Sequence, residues 1–520
     1  MSSSNPHQDD VDHDSEPEML HEDDADEIVD DEGDVAMDSD DEGGAGGDRE
    51  EVILQNDSIG YFDQHKDSVF TIAQHPVYPH IVATGGSEGD TDDAPGMGYV
   101  LDTSGVASRP LLPPSYASDP SSAAAENTEL RAVFAIEGHT DSINTVAFTL
   151  PKGDFLVSGG LDGRLRVYSS RVSNSGSAVF RFLAESQETE EINWLAPCPA
   201  ADFPNTVALG ASDGSVWVYT IDPSDAANPL QIVQSYFLHT GPSTAGAWSA
   251  DGQLLASVSE DSSLHVFDVW GTAAAKSLVT DNGQTVVSLT EVDQRFHVEG
   301  GLYSVAVAPS GAFLAVGGAG GAIRIVGLPR LTAPAAAQQA PRGGRQQQQR
   351  GGAEASAQVG AILAAINVQS DGVESLSFSP APQTLLAAGS VDGSIAVLDT
   401  ARNFSVRRHL RDAHDGFPVV KVDFVRSASG AGAHGAQAAG WLLTSCGMDG
   451  VVRRWDLRGA TATATASQQV AGAAASGLVK EWKGHRGEGE GGGVLGFVQG
   501  ETGERIVTAG DDGVVLLFEV

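Results

Sequence analysis

Apolar residues along this chain recur as pairs of short runs separated by a tight polar turn. The segments FLVSGGLDGRLRVY (155–168), TVALGASDGSVWVY (206–219) and LLASVSEDSSLHVFD (254–268) share one layout. FLAVGGAGGAIRIV (313–326), LLAAGSVDGSIAVLD (385–399), LLTSCGMDGVVRRWD (442–456) and RIVTAGDDGVVLLFE (505–519) repeat it. Each is an apolar run, a step of small residues, a turn that is mostly Asp-Gly, and a second run that alternates with period two. That grammar predicts two antiparallel strands joined in a hairpin. A degenerate copy, HIVATGGSEGD (80–90), precedes the others and brings the number of units to eight. The turn aspartates Asp162, Asp213 and Asp261 are 51 and 48 residues apart, and Asp392, Asp449 and Asp512 are 57 and 63 apart. A four-stranded repeat needs about 40–45 residues, so the surplus predicts loop insertions.

One strand breaks the pattern. In DGVESLSFS (371–379), Val373, Leu376 and Phe378 read as the buried side, yet Glu374 stands among them. An unpaired buried carboxylate is costly, so this residue needs either a partner or water.

Upstream of several hairpins stands a histidine: His65, His139, His239, His414 and His485. The set of His, a Ser or Thr in the first strand, a turn Asp and a closing aromatic resembles the WD-repeat family. It is clearest as His414, Ser445, Asp449 and Trp455, and again as His485, Thr508, Asp512 and Phe518. Tyr168 and Tyr219 replace the tryptophan, and Gly320-Gly321 replaces one Asp-Gly. The resemblance implies an all-β fold, an eight-bladed WD-repeat β-propeller with a disordered acidic N-terminal tail, its blades arranged radially around a channel. It also implies that the histidines hydrogen-bond to the turn aspartates. The last repeat ends at LLFEV, after its third strand, and EVILQNDSIGYF (51–62) is expected to close the ring by pairing with it, which would remove an exposed edge. Residues 1–50 read as the acidic tail and 51–520 as the propeller. The segment 331–358 (Gln- and Arg-rich, with RGG at 342–344 and 350–352) reads as a disordered insertion, and 103–129 and 460–477 as shorter ones.

Charge sharpens the functional reading. Residues 1–51 hold 22 of the 71 acidic side chains against one basic residue, Arg49, so this stretch carries −21 of the net −42. The remainder carries the other −21. Binding to DNA or an RNA backbone relies on basic surfaces, so it is disfavoured, and a basic protein partner is favoured. The two cysteines, Cys198 and Cys446, make neither a disulfide framework nor a zinc site. No apolar run approaches the ~18–20 residues of a membrane span, and MSSSNPHQDD lacks the basic and apolar regions of a signal peptide. A cytoplasmic monomer without metal or cofactor is expected. There is no Walker loop, GxSxG elbow or HExxH, so no enzymatic activity is expected, and binding becomes the default role.

Aligning the starts of the inner strands, DSINTVAF (141–148), EEINWLAP (190–197), GLYSVAVA (301–308) and DGVESLSF (371–378), puts Glu374 level with Asn144, Asn193 and Tyr303. In a propeller of this family those positions meet the channel mouth, where water or a partner reaches them. Asp67, Asp141, Glu190, Glu191 and Asp371 precede these strands in their repeats, and Glu260 and Asp511 stand at the hairpin turns. Together they make an acidic ring suited to charge-assisted pairs with arginine, with Phe70 and Tyr303 available as aromatic contacts. The candidate partner-binding residues are therefore Asp67, Asp141, Glu190, Glu191, Glu260, Tyr303 and Glu374.

A closer resemblance adds a specific expectation. SIGYFDQHKDSVFTIAQHP (58–76), ETEEINWL (188–195), ASDGSVWVY (211–219), SDGVESLSF (370–378) and RIVTAGDDGVVLLFEV (505–520) resemble the WD-repeat ribosome-assembly chaperones of yeast type, whose animal relative is the angio-associated migratory cell protein. The resemblance implies capture of the basic N-terminal segment of the large-subunit ribosomal protein L-ten (L-sixteen in universal naming), from the nascent chain, and delivery to the pre-ribosome. By matching segments it points to Asp141, Glu191 and Glu374. The alternatives are a general WD-repeat scaffold in signalling or ubiquitin ligation, and an acidic histone-type chaperone.

Overall fold

Each hairpin unit folds as the middle of a sheet, and seven four-stranded antiparallel sheets and one of five strands form the ring. The computed structural model describes residues 55–520 except 90, 92–93, 108–127, 174–175, 332–357, 428–439, 459–476 and 488–491. The acidic segment 1–50 and nearly all of the 331–358 insertion, including both RGG pieces, lie outside the described residues.

The innermost strands, here called strands a, are Thr71–Gln74, Ile143–Phe148, Ile192–Pro197, Ser243–Trp248, Leu302–Val307, Val373–Phe378, Val419–Phe424 and Val494–Val498, for blades 1 to 8. Each touches the strand a of the next blade, and the last touches the first. Strands b carry the apolar runs seen in the sequence and are buried almost throughout, as in Phe155–Gly160, Leu254–Ser259 and Leu385–Ser390. A strand covered on both faces by neighbouring blades has no polar side, which is why these runs do not alternate. The small residues within them make room for the next blade. A Cβ at Gly85 of blade 1 would stand 2.5 Å from Ile143 Cγ2 of blade 2, and one at Gly389 of blade 6 would stand 2.8 Å from Val419 Cγ1 of blade 7.

Gly60–Phe62 pairs antiparallel with Val515–Glu519, placing Gly60 opposite Leu517, and so closes the ring as the fourth strand of blade 8. The 103–129 stretch is not a simple insertion. Thr128–Glu129 adds a fifth, parallel strand outside Gly60–Phe62, while Val106 and Leu130 are buried with Ile59 and Phe62 in one apolar cluster. Arg505 Nη2 donates to the Val106 carbonyl at 2.8 Å, pinning the segment's first turn.

The histidine networks vary by blade. In blade 7 the Trp455 Nε1–H donates to Ser445 Oγ (2.9 Å), Ser445 contacts His414 Nε2 (2.8 Å), and His414 Nδ1 contacts Asp449 (2.9 Å). Burial alone would raise the Asp449 pKa; the His414 hydrogen bond and the charge of Arg453 outweigh it and hold the carboxyl below its ordinary range. An ionised Asp449 only accepts, so Nδ1 carries the proton and Nε2 accepts from serine. His139 with Asp162 and His485 with Asp512 repeat the His–Asp contact at 3.0 Å. The expectation fails at two positions. His239 bonds Ser263 (2.5 Å) and Ser257 (2.6 Å) and approaches Asp261 only to 3.9 Å, because a serine after the turn intervenes. His65 bonds Thr84 at 2.9 Å, and its Nδ1 has no partner, since the degenerate first repeat has no turn aspartate.

Burial lowers the pKa of His65 to about 4 and of His265 to about 4; burial, with nearby His265, lowers His239 to about 3. The unfolded chain, with histidines near 6.5, therefore binds more protons below that pH. Stability is full above about 6.5 and falls as pH drops towards about 4, by up to ~1.4 kcal/mol per pH unit for each such histidine. Urea midpoints at pH 7.5 and pH 5 measure this, and equal midpoints would contradict it.

Candidate functional site

The hairpin turns and the entries to the inner strands lie side by side on one face of the ring. In seven blades the residue after strand b donates its backbone N–H to the residue just before strand a: Leu161 to Ser142, Ser212 to Glu191, Glu260 to Pro242, Ala319 to Gly301, Val391 to Gly372, Met448 to Pro418 and Asp511 to Gly493, at 2.9–3.3 Å. Glu260 and Asp511, which stand at the turns, thus share a face with Asp67, Asp141, Glu190, Glu191 and Asp371, which stand at the entries.

Seven of the inner strands also carry a register shift one residue in. The residue passed over is Asn144, Asn193, Thr244, Tyr303, Glu374, Val420 or Leu495. Phe70 holds the corresponding place in blade 1, next to Val69, and is 39% exposed. A bulge bends the strand and re-aims the extra side chain. This answers the difficulty posed by Glu374: Val373 pairs with Ser390 and Ser375 with Gly389, leaving Glu374 outside the ladder and exposed to solvent. Of the bulge positions it alone is charged.

The bulge residues do different work. Asn144 Nδ2 donates to the Asn193 carbonyl (3.1 Å), Asn193 Nδ2 to the Ser243 carbonyl (3.0 Å) and Thr244 Oγ1 to the Leu302 carbonyl (2.7 Å), stitching blades 2 to 5 together. Tyr303 lays its ring against Gly372 of blade 6, where a Cβ would stand 3.3 Å from Cε2, and donates its hydroxyl to the Gly300 carbonyl at 2.6 Å. Burial raises the Tyr303 pKa, and the charges of Glu260, Glu374 and Asp371 raise it further. Those three carboxylates and Tyr303 therefore form one cluster spanning blades 4 to 6. Glu374 is open to water, yet the surrounding wall reduces its hydration and raises its pKa, with Asp371 adding to the rise.

Elsewhere on the rim the acids are held differently. Ser68 Oγ donates to Asp511 Oδ1 at 2.6 Å and lies 3.5 Å from Asp67 Oδ1, tying the two carboxylates together at the junction of blades 8 and 1. Asp141 accepts from the Ser142 N–H (2.6 Å) and Asp371 from the Gly372 N–H (2.7 Å). Glu190 and Glu191 are exposed at the entry to blade 3. The side chains of Glu190, Glu191, Glu260 and Glu374 make no hydrogen bond or ion pair among the described residues. Their acceptor capacity is unused. The alignment of strand starts located the acids but not Thr244, Val420 and Leu495, which share the bulge ring; each is the second residue after an entry proline or glycine (Pro242, Pro418 and Gly493), and that spacing is the signal that finds them.

Among the described residues no group of His, Cys, Asp or Glu is placed to hold a metal ion, and no helix is long and apolar enough to cross a membrane. Burial pushes the thiols of Cys198 and Cys446 up to about 11 and about 12.

The WD domain, G-beta repeat family profile matches residues 130–169, 230–268 and 361–399. The ribosome assembly protein SQT1 of Saccharomyces cerevisiae is 31% identical over 189 residues, which is 36% of this chain and 35% of that protein, so the match spans about a third of the yeast relative's length. The crystal structure of Chaetomium thermophilum Sqt1 is 64% identical and superposes with a TM-score of 0.75, over 90% of this chain and 98% of that one. The chain belongs to the Sqt1 family. A second crystal structure of the Chaetomium thermophilum Sqt1, bound to the N-terminus of the ribosomal protein L10, is 63% identical with the same TM-score of 0.75 and is covered over its whole length.

Proposed function

We propose that this chain is a dedicated chaperone in large ribosomal subunit assembly, which binds the basic N-terminal segment of ribosomal protein L10 on the acidic mouth of its channel and delivers it to the pre-ribosome. The observation that carries the reading is the ring of carboxylates, of which Glu190, Glu191, Glu260 and Glu374 hold no hydrogen bond or ion pair among the described residues, in a chain 63% identical to a protein crystallised with that segment. A free ribosomal protein tail is cationic and sticks to RNA. Carboxylates around a low-dielectric channel focus a negative potential on it and offer bidentate sites to arginine. Tyr303 supplies a ring face beside three of them, against which a guanidinium can stack. Binding shields the tail, and rRNA competing for the same cations releases it.

On this reading the protein acts by binding, without catalysis, as a monomer and in the cytoplasm, where new ribosomal proteins appear. Titration of the full chain with the L10 N-terminal peptide tests it. Raising salt from about 50 mM to about 500 mM should weaken binding at least tenfold, since exposed ion pairs are screened. Binding that ignores salt, or that a histone tail peptide of equal charge matches, would overturn the reading.

A further inference from the structure

Among the described residues, a concentration of positive charge lies on the outer strands of blades 6 and 7, away from the channel. A cavity of about 830 Å³ runs between the outer strands of blade 6 (Ser405–Leu410) and blade 7 (Leu478–Trp482). Arg407, Arg408, Arg411, Arg453 and Lys483 line it, with Asp412, Asp415 and Glu481. Not all of this charge is spent internally. Arg453 is consumed by Asp449, Asp415 (2.7 Å) and Glu481 (3.6 Å), and Lys483 lies 3.5 Å from Glu481. Arg411 is exposed and forms no ion pair among the described residues. Arg407 is held over the Trp441 ring, 4.8 Å from its centroid, and its buried Nε has no hydrogen-bond partner. His409 Nε2, on the same strand, is likewise buried without a partner. Buried polar atoms without a partner call for an explanation, and these two lie on the strand that lines the cationic groove.

We infer that this groove is a docking site for a short carboxylate-rich segment of a partner protein, bound extended along Ser405–Leu410. The outer edge of that strand pairs with no described strand, so an extended chain can lie beside it. Clustered arginines are the usual reader of acidic motifs. A nucleic acid fits less well. Single-stranded nucleic acid is held by base stacking on open aromatic faces, but Trp455 in the lining is 4% exposed and the Trp441 face is covered by Arg407. A long polyanion would also meet the net negative charge of the propeller, whereas a short acidic segment confined to the groove meets chiefly its arginines.

The test is fluorescence anisotropy of a labelled oligoglutamate peptide with the full chain, with oligouridylate as competitor. Oligoglutamate should bind saturably, and Arg411→Glu and Arg407→Gln should each weaken it at least about tenfold. Arg411→Ala, a milder change at an exposed site, should weaken it in the same direction. Thermal unfolding should stay unchanged in the two Arg411 variants, and binding of the basic L10 peptide at the channel mouth should stay unchanged in all three. Absence of saturable binding, equal affinity in the variants, or more effective competition by oligouridylate than by unlabelled oligoglutamate overturns the inference, the last outcome in favour of a nucleic-acid site.

Discussion

Glu374→Lys is expected to weaken binding of the L10 N-terminal peptide roughly 100-fold, about 3 kcal/mol, within the range for truncating or reversing one member of a desolvated charge pair. The residue stands outside the strand ladder, is exposed, and holds no described partner, so the substitution removes no internal contact. What changes is the local field. A lysine there puts a positive charge into the cluster of Glu260, Tyr303 and Asp371, where it neutralises a neighbouring carboxylate and repels the incoming cation. Glu374→Gln, which keeps shape and drops charge, should fall between the two. Isothermal titration with unfolding measured in parallel separates lost binding from lost fold. Affinity within threefold of wild type for Glu374→Lys would place the principal contact elsewhere on the rim, with the exposed pair Glu190 and Glu191 next in line.

Asp449→Ala should be the most destabilising single change in the histidine networks, at ~3–5 kcal/mol, because removing one partner of a buried ion pair strands the other. Asp449 is 8% exposed, Arg453 7% and His414 fully buried. The carboxylate receives His414 Nδ1 at 2.9 Å, the Val451 N–H at 3.2 Å and Arg453 Nη1. Without it His414 loses the group that fixes its tautomer, and the chain from Trp455 through Ser445 loses its terminus. Arg453 retains Asp415 and Glu481, which places the expected loss towards the lower end. Equilibrium urea unfolding reads the effect, and adding Arg453→Met should restore part of it. A loss below about 1 kcal/mol for Asp449→Ala alone would show that the network contributes specificity rather than stability.

Much of this molecule was legible before any coordinates. The apolar runs and the Asp-Gly turns predicted hairpins and their number, because these rest on local chemistry; the ring followed from the resemblance of the repeat to the WD-repeat family. The turn glycine is an example: at Gly163, with φ +71°, a Cβ would stand 2.0 Å from the Thr189 carbonyl, so the small residue records the approach of the next blade. Where a repeat departed from the pattern, its chemistry departed too, as at His65, which has no turn aspartate to meet.

The acids of the rim could be named from sequence, since their places follow from where each strand begins. Their states could not. A period-two pattern reads the same through a bulge, because the register of strand a is set by strand b, whose partners stand 8–17 residues further on in blades such as 2 and 6. Only that pairing turned Glu374 out of the ladder while committing Asn144 and Asn193 to the carbonyls of neighbouring blades. The meeting of Ser68 with Asp511, 443 positions apart, and the parallel strand Thr128–Glu129 also depend on closure of the ring. Sequence by itself determined the repeat and the inventory of charge, since these follow from local propensity and composition, and it pointed to the ring through the resemblance of the repeat to the WD-repeat family. The tertiary structure alone decided which carboxylates keep unused acceptor capacity, because that depends on atoms brought together from blades far apart in the chain.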